Sequence, residues 1–152
     1  MPTQLQAGDN APPFSGKDQD GNTVSLNDFR GKKVVLYFYP EDDTPTCTVQ
    51  ACNLRDNYGL LKKQGYEVIG ISPNNEKSHQ KFKTKFSLPF TLLADPDHAI
   101  IDKYGVWGEK KLYGRTYEGL HRTTFVIDEK GVIRKILLRP RSKIHAEEIL
   151  RG

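Results

Sequence analysis

The sequence predicts an α/β fold in which helices flank a mixed central β-sheet, and three observations carry that expectation. Two β-branched and aromatic runs, "KKVVLYFYP" and "YEVIGISP", stop at Pro40 and Pro73, as buried strands bounded by a breaker do. The segment between them repeats apolar residues at helical spacing, so strand, helix and strand form a right-handed parallel crossover. Further along, "HRTTFVID" and "GVIRKILLR" flank "EK", with Gly131 available for the turn, and read as an antiparallel hairpin. Parallel strands joined to an antiparallel pair make a mixed sheet, and the helices are expected on both of its faces.

Taken in order, "KDQDGN" is acidic and contains a glycine but lacks the remaining ligand positions of a calcium loop, so it is read as a turn. After the first strand, a helix is predicted from about Pro45 to Lys63. Its apolar stripe is Cys47, Ala51, Leu54, Tyr58 and Leu61, and Gly65 is placed to end it. "EKSHQKFKTKF" follows the second strand as another helix, with His79, Phe82 and Phe86 on one face. "DPDHAIIDKYG" reads as a short helix capped by Asp95, opened by Pro96 and closed by Gly105. The hairpin comes next, and a last helix is expected in "KIHAEEIL". No internal repeat or low-complexity tract interrupts the chain.

The 152 residues fall in the single-domain range, so one domain spanning 1–152 is expected. With 28% charged and 36% hydrophobic residues, the latter in short runs, the composition is that of a globular protein. No run approaches the ~20 apolar residues needed to cross a bilayer. The N-terminal "MPTQLQAGDNAPPF" has neither a basic start nor an apolar centre, so no secretory signal is expected and a reducing cytoplasm is the expected location. The net charge is +4, but Lys and Arg are dispersed among nineteen acids, which argues against a nucleic-acid partner. In a reducing compartment a close cysteine pair is more often catalytic or metal-binding than a permanent cross-link.

Both cysteines lie in "YPEDDTPTCTVQAC". Thr44 followed by Pro45 is a strong helix start, because threonine suits the N-cap and proline the first helical position. Cys47 then occupies the third helical position, where free amides and the positive end of the helix dipole favour a thiolate. Glu41, Asp42 and Asp43 oppose it by like charge, so a reactive Cys47 needs a cation brought from elsewhere. Cys52, five positions on, is turned about 140° around the helix and ~7.5 Å along it. A disulfide needs Cα atoms within about 7 Å, so the two sulfurs cannot join while the helix is intact. A static staple therefore fits badly, and a zinc site does too, since no paired histidines accompany the cysteines. Two inert core cysteines remain an alternative to a redox pair that unwinds its helix.

"YPEDDTPTC" resembles the peroxiredoxin active-site pattern of proline, three residues, threonine, two residues and cysteine, and "TVQAC" is similar to the bacterioferritin comigratory protein, or peroxiredoxin Q, branch. The likeness runs from "GDNAPPFSGKDQDGNTVSLNDFRGKKVVLYFYP" through "DPDHAIIDKYGVWG" to "GLHRTTFVIDEKG". Thr46 stands where many members of the branch carry glycine, and "LRPRSKIHAEEILRG" matches only loosely. The resemblance implies a thioredoxin-like fold and thiol-based reduction of hydrogen peroxide and organic hydroperoxides. It matches Cys47 to the peroxidatic cysteine, Cys52 to the resolving cysteine, Thr44 to the hydroxyl that binds the peroxide and Pro40 to the residue that shields the pocket. Arg122 matches the cation that the charge argument requires. It also implies an intramolecular Cys47–Cys52 disulfide recycled by thioredoxin or a similar dithiol, in antioxidant defence, with no metal, flavin, haem or other cofactor. A monomer is expected because the resolving cysteine belongs to the same chain.

Other residues have plainer expectations. His121 adjoins Arg122, but strand alternation is expected to send it to the opposite face. His79 is expected to be a half-buried helix residue. Trp107 and its neighbouring aromatics are expected to pack beneath a loop more than to form a partner surface. Gln50, one turn from Cys47, fits a solvated position as well as the active-site network. A disulfide reductase would want Cys-x-x-Cys, which is missing. A redox sensor or chaperone-like module could use the same thiol switch, and steady-state peroxide consumption separates these readings.

Overall fold

Val34, Val35, Leu36, Tyr37 and Phe38 are all buried, Val34, Leu36 and Phe38 toward one core and Val35 and Tyr37 toward another. This follows from the alternation of side chains along a strand buried on both faces. They form β3 (Lys33–Phe38), an interior strand of a seven-stranded sheet in the computed structural model, which describes residues 3–151. Met1, Pro2 and Gly152, which the expected domain of 1–152 also takes in, lie outside the described residues. The sheet order is β2 (Thr23–Ser25), β1 (Ser15–Asp18), β5 (Thr91–Ala94), β4 (Tyr66–Ser72), β3, β8 (Thr123–Ile127) and β9 (Ile133–Leu138). β3, β4 and β5 run parallel, while β1–β2 and β8–β9 are antiparallel pairs at opposite edges. The mixed sheet and the C-terminal hairpin are as expected. The edge pair β1–β2 is an addition, joined by the expected "KDQDGN" turn in which the Asp18 carboxylate accepts from the amides of Asp20 and Asn22.

One face carries α1 (Pro45–Asp56), α2 (Tyr58–Lys63), α3 (Glu76–Phe86) and α5 (His145–Leu150), packed on Val35 and Tyr37 through Ala51, Leu54, Leu61, Phe82 and Ile149. The other carries α4 (Ala99–Tyr104), whose Ile100, Ile101 and Tyr104 meet Leu36, Phe38 and Phe125. A separate ribbon of β6 (Trp107–Leu112) and β7 (Arg115–Leu120) stands off the sheet. Its charged and glycine-containing sequence lacks the β-branched density that marks a strand, so it is absent from the sequence reading. Trp107 follows the packing expectation, half-buried against the core with its ring centroid 4.4 Å from that of His98, but the neighbouring Tyr113 and Tyr117 do not and are exposed on the ribbon.

Two helix expectations need correction. The single helix of 45–63 is broken at Asn57 into α1 and α2. The Asn57 side chain donates to the Asn53 carbonyl at 2.8 Å and competes with the regular ladder, and Gly59 just beyond it lowers helix propensity. α4 begins at Ala99, not at Pro96. The N-cap position falls to His98, in the left-handed conformation, and not to Asp95, whose carboxylate instead reaches over a turn to the amides of Ile100 and Ile101, at 3.1 and 2.8 Å. No described helix is long and apolar enough to cross a membrane.

Candidate active site

α1 begins at Pro45 with Thr44 as an extended N-cap residue (φ −91°, ψ 157°), so Cys47 occupies the third helical position as expected. The cap differs in detail. The Thr44 hydroxyl makes no bond to the helix amides and donates back to the Glu41 carbonyl at 3.2 Å. Cys47 is buried, in the first turn, where backbone N–H groups have no intrahelical acceptor. Pro40, half-buried, directly follows the buried Tyr39 at the end of β3. Cys52 lies further along α1, half-buried, and both cysteines are free thiols.

Arg122 is brought to this helix by strand register. β8 runs antiparallel to β3, and Phe38 pairs with Thr123, so the residue before Thr123 sits where β3 ends and the loop to α1 begins. There Arg122 donates from Nη2 to the Cys47 Sγ at 3.3 Å and from Nη1 to the Gln50 Oε1 at 2.6 Å. Gln50 is fully buried, which removes the solvated reading. One fork of a guanidinium thus holds the sulfur and an amide one turn away, a geometry that a lysine point charge lacks.

The three acids before Thr44 are disposed differently from the expectation that all would oppose the thiolate. Asp42 is buried and turned toward α3, where its carboxylate accepts from Tyr39 Oη (2.6 Å) and Ser78 Oγ (2.7 Å) and lies 2.7 Å from His79 Nδ1. His79 is fully buried, not half-buried, and its Nε2 donates to the Leu93 carbonyl at 2.9 Å. Asp43 adopts the left-handed conformation (φ 58°) and pairs with Lys85 at 2.8 Å. The acidic loop is therefore a clamp that fixes the approach to α1, and two of its charges have partners of their own. Burial, reinforced by neighbouring negative groups, pushes the hydroxyls of Tyr37 and Tyr39 well above their ordinary range, so both stay neutral.

In front of Arg122 lies a cleft of about 670 Å³ lined by Thr46, Lys110, Tyr117, His121 and Arg139 among others. Burial, and then the charges of Arg122 and Arg139, pull the Lys110 pKa down. His121 shares this cleft with Arg122, because both precede the first residue of β8 and strand alternation has not begun. Its Nε2 is engaged by the Glu109 carbonyl at 3.0 Å, away from the sulfur. Among the described residues no cluster of His, Cys, Asp and Glu is arranged to hold a metal ion.

Beneath the helix, the fully buried His145 faces Gln50 Nε2 at 3.3 Å through Nδ1 and Thr124 Oγ1 at 2.8 Å through Nε2. Burial, and next the Arg122 charge, push its pKa down to about 3. Sequence reasoning placed His145 in the last helix but gave it no part in the site. A histidine in an amphipathic segment carries no local mark of a partner 95 residues away.

Residues 7–136 match the model of the AhpC/TSA family. The chain is 49% identical over 146 residues to the peroxiredoxin Bcp of Escherichia coli K12, covering 96% of this chain and 94% of that one. Among solved structures it is similar to a cysteine-to-serine variant of PrxQ from Xylella fastidiosa, with a TM-score of 0.91, 26% identity and coverage of 97% and 94%. It is also similar to the bacterioferritin comigratory protein of Xanthomonas campestris, studied for its alkyl peroxide reduction activity, with a TM-score of 0.87, 27% identity and 95% of both chains covered. The sheet order and flanking helices described above are accordingly the expected thioredoxin-like arrangement.

Proposed function

The chain belongs to the AhpC/TSA family and is a thiol-dependent peroxidase of the peroxiredoxin kind, and from that premise we propose that Cys47 is the reacting thiolate, Arg122 its cation and Cys52 the resolving thiol. The observation that carries the reading is the 3.3 Å bond from the Arg122 guanidinium to the Cys47 sulfur at the start of α1. Arg122 stabilises the thiolate, and the positive end of α1 adds to its field.

The thiolate attacks the terminal oxygen of a hydroperoxide in line with the O–O bond. That bond breaks, the sulfur becomes a sulfenic acid, and the remaining oxygen leaves as water or alcohol after taking a proton. Arg122 and the Cys47 backbone amide donate to the oxygens as charge develops on them. The Thr44 hydroxyl, freed from the Glu41 carbonyl, engages the peroxide beside them, and Pro40 shields this side from water. The Cys52 thiol then attacks the Cys47 sulfenic sulfur, releasing water and forming an intramolecular disulfide. An external dithiol, thioredoxin or its chemical equivalent, reduces that bond by exchange. In this reading 1–152 acts as one cytoplasmic domain and as a monomer, with no nucleic-acid or membrane partner.

With thioredoxin, thioredoxin reductase and NADPH present, hydrogen peroxide or an organic hydroperoxide is expected to drive continuous NADPH oxidation. An enzyme that consumes one equivalent of peroxide and then stops under these conditions would remove thioredoxin as the reductant. Arg122→Ala is expected to slow single-turnover oxidation of Cys47 by about 100- to 1,000-fold, the size of effect seen when one preorganised donor is lost. The stopped-flow rate against peroxide concentration measures it, and a rate within threefold of the wild type refutes the role of Arg122.

A further inference from the structure

His145 takes no part in the chemistry above, yet it is enclosed between the sheet and the helix that carries both cysteines. The Tyr37 ring packs against it in a T-shaped arrangement, with ring centroids 5.7 Å apart at 77°. The segment that bears it is tied to α1 a second time by Asn53, whose Nδ2 donates to the Lys143 carbonyl at 2.9 Å and whose Oδ1 accepts from the Ala146 amide at 2.8 Å. Gln50 and Asn53 stand three residues apart, on one face of α1, so the C-terminal segment grips the catalytic helix at two successive positions.

Donors and acceptors orient the whole chain of bonds. A guanidinium only donates, so the Gln50 amide must present Oε1 to Arg122 and its NH2 to His145. That NH2 needs a lone pair on Nδ1, which a neutral imidazole supplies only when its hydrogen is on Nε2, facing the Thr124 oxygen. Reversing any one link sets two donors against each other. The pKa near 3 keeps the imidazole neutral at working pH, so the arrangement does not lose its acceptor to protonation.

We infer that His145 is a positioning residue for peroxide reduction: held as the Nε2–H form, with that hydrogen accepted by the Thr124 hydroxyl, it pins the Gln50 amide so that Oε1 holds the Arg122 guanidinium on the Cys47 sulfur. The inference rests on the assignment of Cys47 and Arg122 made above. The two fail separately, since a fast Arg122→Ala overturns the assignment, whereas a slow Arg122→Ala beside a fast His145→Phe overturns only the relay.

The test is single-turnover oxidation of Cys47 by hydrogen peroxide in the full chain. His145→Phe fills the site without an acceptor and is expected to slow the reaction about tenfold, a size usual for coupled neighbours. His145→Asn, which restores an acceptor near the Nδ1 position, is expected to recover most of that loss. In a Gln50→Met background His145→Phe is expected to add less than about a twofold loss, because the link it serves is already gone. Thr124→Val leaves the imidazole in place, strands its buried Nε2 hydrogen without an acceptor, and is expected to slow the reaction as well, which covers the case of a His145→Phe that does not fold. A wild-type rate in His145→Phe or in Thr124→Val, equal losses in His145→Phe and His145→Asn, or losses that multiply in the Gln50→Met background would each overturn the relay.

Discussion

Replacing Cys47 by serine is expected to lower peroxide reduction by at least about 1,000-fold, as loss of an attacking nucleophile does, while leaving the fold in place. The reaction needs an ionised, polarisable sulfur, and a serine hydroxyl is neutral at pH 7 and cannot pass through a sulfenic acid. The substituted oxygen is smaller than sulfur and sits in the first turn of α1, where free amides and Arg122 can still bond to it. Thermal unfolding should therefore change little, and the loss should be confined to chemistry. Peroxide consumption followed directly, without a coupled reductant, measures it. Retention of more than a tenth of the wild-type rate by a folded Cys47→Ser protein would show that the reacting group lies elsewhere.

Oxidation to the Cys47–Cys52 disulfide is expected to melt at least the first two turns of α1. Five residues on a helix separate the two by ~7.5 Å of rise and about 140° of rotation, and the sulfurs must come to about 2 Å. The change breaks the intrahelical ladder, frees Gln50 from Arg122 and His145, and strains or releases the Asn53 link to Lys143 and Ala146. Cys47 and Ala51 leave the core. Leu54, fully buried, resists further unwinding, since exposing such a side chain costs about 1.5–3 kcal/mol. The break at Asn57 then separates α2 from the event. Amide exchange should rise by about 100-fold or more from Thr48, whose amide bonds the Thr44 carbonyl, to about Leu54 on oxidation, stay nearly constant from 58 to 63, and recover with dithiol. Cys52→Ser treated with the same peroxide should keep α1 protected. A disulfide-bonded protein whose 48–54 amides exchange as slowly as in the reduced form would exclude the two-state cycle.

The stretch "YPEDDTPTC" made much of the site legible before any coordinates, because its features act within one turn. A proline that fits the first helical position and a residue three places on that meets free amides are consequences of local sterics and hydrogen bonding. Arg122 was legible only as a demand for a cation and as a match to a family pattern. Nothing within several residues of it indicates that it meets Cys47. Gln50 was evenly balanced between solvent and site for the same reason, and His145 carried no signal at all. The inward direction of Asp42 is not legible locally either, since its partners Ser78 and His79 lie on α3, more than 30 residues away.

Short-range patterns in the chain thus determined the buried strands, the start of α1, the position of Cys47 on it, and the separation that keeps Cys52 from its sulfur. The mixed α/β class follows from them, because elements with apolar faces of these periods have few ways to bury them together. The tertiary structure alone decided that α1 ends at Asn57, that the acidic loop turns inward to α3, and that Arg122, Gln50 and His145 converge behind the sulfur. Those outcomes depend on the antiparallel register of β3 with β8, which pairs Phe38 with Thr123, and on the docking of α5 against α1. Register and docking are settled by packing and hydrogen bonding between groups as much as 95 residues apart, and such pairings leave no periodicity in the local sequence from which they could be read.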